Sequence, residues 1–184
     1  EYTTHYLCLN LRENLDKILH QNGGDDWWHA DLFEKNTKNI LPKDLEILAN
    51  LPSEDRNYNC FIYALGLEED QEILQDSHGF IYDTFFQKLI DKKIVEFTDS
   101  PQPGDYVLYR NSEKYPNEIT HIGVIERESK IVSKWAWGPL LRHSLLDVPA
   151  SYGDEISYVK RISKERAKDL YYQFKEFNKK SELK

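Results

Sequence analysis

HIGVIERESKIVSKWAW, residues 121–137, decides the fold. Two apolar runs, HIGVI and IVSKW, flank the polar ERESK at 126–130. That pattern predicts two strands joined by a tight hairpin, and so an antiparallel sheet. Upstream, PQPGD (101–105) leads into another strand-like run, DYVLYR at 105–110, and IVEFT at 94–98 reads as a further strand. Downstream, ISYVKRI at 156–162 adds one more, with WGP (137–139) and SYGD (151–154) supplying turns. Ahead of the strands the period changes to helical. CFIYALGL (60–67) predicts a short apolar helix and FIYDTFFQKLIDKK (80–93) a longer amphipathic one.

The first fifty or so residues read as a helical extension. Leu11, Leu15, Ile18 and Leu19 recur at helical spacing before a Gly23-Gly24 stop. A second helix runs through WWHADLFEK, capped by Asp25 or Asp26, and LPKDLEILANL (41–51) reads as a third. SKERAKDLYYQFKEF (163–177) closes the chain as an amphipathic helix with Leu170, Phe174 and Phe177 on one side. Helices first and strands afterwards predict an α+β fold in a single domain over 1–184. Its parts are the extension (1–52), the core (53–162) and a C-terminal helix with its tail (163–184).

Composition narrows the function. Charged residues make up 30% and the net charge is −8, which argues against nucleic acid, since phosphate binding needs a basic face. No stretch is apolar enough to span a membrane, and no signal-peptide pattern opens the chain, so a cytoplasmic and a delivered protein are both expected possibilities. Two cysteines, Cys8 and Cys60, exclude a disulfide framework. The sequence has no Gly-rich phosphate loop, zinc-finger spacing or Gly-x-Ser-x-Gly elbow. His29 sits among Asp25, Asp26 and Asp31, but no second His or Cys lies at ligand spacing. A protein without metal or cofactor is therefore expected.

Cys60 opens an apolar helix behind Asn57 and Asn59, both good capping residues. A cysteine there would have its backbone N–H aimed where an oxyanion develops. A thiol also needs a nearby imidazole to become a thiolate. His121 opens a strand that contains Gly123, which leaves room for close approach. A third polar group should orient that imidazole, and Ser133 follows twelve positions on, across the hairpin.

Cys at a helix start, then PGDYVLY (103–109), HIGVI (121–125) and a further strand resembles the NlpC/P60 and CHAP branch of papain-like cysteine peptidases and amidases. The resemblance covers roughly residues 56–160. It implies a papain-like core, a nucleophile helix packed on an antiparallel sheet, with Cys60 as nucleophile, His121 as base and Ser133 in the third position. His143 is the alternative third member if the WGPLLRHS segment folds back. The family's Asp-Cys-Ser-Gly is replaced here by Asn59-Cys60-Phe61-Ile62.

Trp135 and Trp137 lie two apart, so on a strand they share a face, lining a substrate groove or filling the core, while Lys134 points the other way. Asn59, Trp135 and Trp137 are the candidate substrate-binding residues. The expectation is a cysteine hydrolase acting on the amide bonds of a peptide, protein or peptidoglycan. Peptidase, amidase, protein deamidase and toxin-like effector are the variants. The rival expectation is a non-catalytic binding module of the same fold.

Overall fold

The structure is a computed structural model that describes residues 11–17, 41–42, 45–48, 58–127, 129–135 and 138–182, with side chains of the last helix through residue 175. In chain order the described elements are helix α1 (residues 11–17), β1 (Glu46–Leu48), α2 (Cys60–Ala64), α3 (Gln71–Ser77), α4 (Asp83–Asp91), β2 (Tyr106–Arg110), β3 (His121–Arg127), β4 (Lys130–Lys134), β5 (Leu140–His143), a 3₁₀ turn (Ala150–Tyr152), β6 (Glu155–Val159) and α5 (Lys164–Glu182). The fold is α+β. Its six strands form one sheet in the order β1-β5-β4-β3-β2-β6, every neighbouring pair antiparallel.

Both faces of the sheet are covered, which explains why its strands read as continuous apolar runs instead of a clean alternation. Tyr106, Leu108 and Ile122 face a core shared with α2, α4 and α5, where Ile62, Phe86 and Leu170 are also buried. Val107, Tyr109, Ile131 and Trp135 face the opposite core, closed by Leu15 of α1 and by Val148. The interior strand β2 has no exposed side chain from Tyr106 to Tyr109.

Local chemistry sets the helix limits. The Asn59 side chain accepts the N–H of Ile62 and caps α2, and the Asp70 side chain does the same for Ile73 in α3. Helix α3 stops where His78 turns left-handed (φ 52°) ahead of Gly79. In α4, Phe86 and Leu89 are buried while Asp91 faces out, as the amphipathic pattern requires.

Three readings of the sequence are corrected. Residues 46–48 of LPKDLEILANL form β1, because Glu46–Leu48 pair with Leu140–Arg142 and an open sheet edge outweighs a weak helical period. IVEFT is not a strand of its own: it follows the turn after α4 and makes one isolated bridge, Phe97 to Val159. LLRH, read as part of a turn, is β5. The expected helix through WWHADLFEK, with His29, lies outside the described residues, as do Cys8 and Trp137. So does the side chain of Phe177, while Leu170 and Phe174 are buried.

Candidate functional site

Cys60 is the first residue of α2, and its neighbour Asn59 fixes it in place. The Asn59 carboxamide donates to the Ile81 carbonyl at 2.8 Å, its oxygen caps Ile62 at 3.2 Å, and its backbone N–H bonds the Gly79 carbonyl at 3.0 Å. With its amide groups committed in this way, Asn59 ties the start of α2 to the segment carrying Phe80 and Tyr82. The Cys60 side chain is 7% exposed, and the backbone N–H groups of Ile122 and Phe61 face its sulfur. Burial pushes the thiol pKa up to about 11, and those N–H groups, with the Lys134 charge, pull against it. With only five residues, α2 adds a small dipole, so the local N–H groups matter more.

His121 opens β3 opposite Tyr109 of β2. Side chains alternate along a strand, and Ile122 packs in the core that holds Cys60. His121 therefore turns to the other face. There its ring stacks on Tyr152, centroids 4.0 Å apart and planes 10° off parallel, with the Tyr109 ring 5.5 Å away. It is buried, and its Nε2 has no hydrogen-bond partner among the described residues. Burial, helped by nearby His143, holds its pKa well below the ordinary imidazole value, so the ring is neutral.

Cys60 and His121 open onto the same end of the sheet. A cleft of about 380 Å³ there is lined by Cys60, His121, Phe80, Tyr82, Ser151 and Tyr152 among others. Cys60 reaches it from the helix face and His121 from the rim of the opposite face. The rings of Phe80 and Tyr82, 4.8 Å apart and edge to face, separate it from a second cleft of about 490 Å³ that also reaches Phe85 and Phe174.

Ser133 and His143 lie on the same face as His121 and bond each other. The β4–β5 register pairs Ser133 with Leu141 and Ile131 with His143, which makes Ser133 and His143 diagonal neighbours. The Ser133 hydroxyl lies 2.8 Å from His143 Nε2, and His143 Nδ1 lies 2.8 Å from the Ser144 carbonyl. A carbonyl only accepts, so Nδ1 carries the proton and Nε2 takes the serine hydroxyl. Ser133 thus serves His143 and not the His121 Nε2. Trp135 is 1% exposed and fills the second core instead of lining the cleft.

Two participants escaped the sequence reading. Tyr152 stands in a segment read only as a turn, and nothing local foretells its stack on a residue thirty-one positions earlier. Lys134 is 1% exposed, faces the α2 side, and sets its Nζ 4.9 Å from the Tyr58 ring centroid. Alternation against Trp135 already turned it to the other face in the sequence, and only the layering shows that α2 covers that face. Among the described residues no group of three or more His, Cys, Asp or Glu side chains could hold a metal, and no helix is long and apolar enough to cross a membrane.

A family model described as a domain of unknown function (DUF7689) matches residues 50–160, and the chain belongs to that family. The matched span runs from before Cys60 to the end of β6, taking in His121, Ser133, Lys134 and His143. No curated protein and no solved structure matches the chain.

Proposed function

We propose that this member of the DUF7689 family is a cysteine-dependent amide hydrolase built on a papain-like core, with Cys60 as nucleophile and His121 as its acid–base partner. The observation that carries this reading is that both residues line one cleft, with the Ile122 N–H facing the sulfur. The substrate is a peptide, protein or peptidoglycan stem. A chain of that kind suits two neighbouring clefts divided only by Phe80 and Tyr82. In the reaction the sulfur adds to the amide carbonyl as its proton passes to the imidazole. The C–N bond then breaks, the departing amine takes that proton, and water releases the acyl group from sulfur.

Burial keeps thiol and imidazole neutral in the free protein. The thiolate therefore forms only as the carbonyl is attacked, in contrast to a standing ion pair. The test is incubation with peptidoglycan fragments, glutamine-containing peptides and an unfolded protein, followed by mass spectrometry. Hydrolysis or deamidation products are expected from the wild type and none from Cys60→Ala, with a rate loss of roughly 10²–10⁴ in His121→Ala. Equal product from Cys60→Ala would overturn the reading.

One observation favours a second reading, a binding cleft without catalysis. The His121 ring is committed to its stack on Tyr152, on the sheet face away from α2. Iodoacetamide separates the two. A working pair labels Cys60 faster in the wild type than in His121→Ala, whereas a binding module labels slowly and equally in both.

A further inference from the structure

Among the apolar side chains that the sheet presents to the nucleophile helix stands a lysine. In the β3–β4 ladder Val124 pairs with Val132, and Ile125 with Ile131. Alternation from Val132 puts Lys134 on the same face as Ile122, the residue whose N–H faces the Cys60 sulfur. On the other side of Ile122 stands Leu108, which is apolar and fully buried. Cross-strand neighbours have Cβ atoms about 5 Å apart, so a lysine stem reaches easily over Ile122. Its path is fixed at the far end: Nζ donates to the Gly138 carbonyl and lies 4.9 Å from the ring centroid of Tyr58, two residues before Cys60.

We propose that Lys134 is a positioning residue for the thiol chemistry, its ammonium being the charge that stabilises the Cys60 thiolate when sulfur gives up its proton. The inference rests on the assignment of Cys60 as the working thiol. It explains how a sulfur beneath a hydrophobic helix can carry charge while His121, the imidazole that lines its cleft among the described residues, faces the opposite core. Electrostatics agree in direction: Lys134 favours ionised Cys60, and Cys60 in turn favours charged Lys134. Burial, the larger effect on the lysine, lowers its pKa to about 8. The ammonium is therefore present at neutral pH and lost in mild alkali.

Among the described residues, Tyr58 faces this pair from the α2 side, and Ile122 and Leu108 add nothing that titrates. Further along the same sheet face, Arg142 is bonded to Glu126 and Glu46. His121 lies on the opposite face.

The test is the pH profile of iodoacetamide alkylation at Cys60 in the full chain, read by peptide mass spectrometry. Lys134→Met is expected to slow alkylation at pH 7, where the ammonium is present, by roughly tenfold or more, while Lys134→Arg keeps the profile within about threefold. Profiles that overlay for wild type and Lys134→Met overturn the inference. Should Lys134→Met fail to fold, Lys134→Gln, which keeps a polar end for the Gly138 carbonyl, is read by the same alkylation at pH 7. Its alkylation is expected to slow as for Lys134→Met, and a rate equal to the wild type overturns the inference. Alkylation needs no substrate, so a negative hydrolysis screen beside a Lys134-dependent profile sinks the hydrolase and leaves the pair. Active hydrolase with overlaid profiles does the reverse.

Discussion

Gly123 reads in the sequence as room for the nucleophile helix to approach β3. The room exists, but other residues use it. A Cβ there would come within 2.5 Å of the Ile131 side chain and 3.2 Å of the Ser133 Cβ, both on the face away from α2. The missing methyl lets the β4 side chains close in beside His121. That confinement has a pH consequence. Burial drops the His143 pKa from 6.5 to about 4, and His121 shifts in the same direction. Imidazoles kept neutral in the folded state contribute full stability above pH 6.5. As pH falls, the unfolded chain takes up protons first, and stability is lost between pH 6.5 and about 4, after which the His143 share is exhausted. Its share is at most about 3 kcal/mol. Urea unfolding across that window should therefore show a shallower pH slope in His143→Gln than in the wild type, and parallel slopes would contradict this account.

Among the elements, helix ends were the most legible parts of the chain. Asn59 before Cys60 was read as a cap, and it is one; the Asp70 cap of α3 obeys the same rule, although α3 was not read. His78 before Gly79 marks a helix end, and its left-handed backbone states the physical demand at that place. Glycine meets that demand without steric cost. His78→Gly is expected to raise unfolding stability by about 0.5–1 kcal/mol, measured by the denaturant midpoint, and a loss of stability would show that the His78 side chain holds the turn. Strands were legible where their runs were long, as in DYVLYR and HIGVIE. β1 and β5, at three and four residues, were not. Segments that short carry no period, and only the edge they pair with makes them strands.

Across the whole molecule, α1 acts as a clamp on the cleft. Arg12 is 6% exposed, and its guanidinium donates to the carbonyls of Val148, Pro149 and Gly153. One turn on, Asp16 accepts the backbone N–H of Ser151 at 2.8 Å and its hydroxyl at 2.6 Å. The clamped segment carries Ser151 and Tyr152, one wall of the cleft and the ring on which His121 stacks. Arg12→Ala strands three carbonyls and is expected to destabilise the protein by roughly 2–4 kcal/mol. It should also raise hydrogen exchange in residues 148–153 ahead of the strands. Uniform exchange across the sheet would mean that α1 only covers the core.

The sequence by itself determined the α+β class, the antiparallel β3–β4 hairpin, the helix that begins at Cys60 and the C-terminal helix, because caps, turns and hydrophobic period act over a few neighbouring residues. Tertiary structure alone decided which face each polar side chain serves. Strand alternation fixes only relative facing; which side the helices cover depends on how the layers stack. That stacking sent His121 to the Tyr152 side, joined Ser133 to His143, and turned Lys134 to the side that α2 covers.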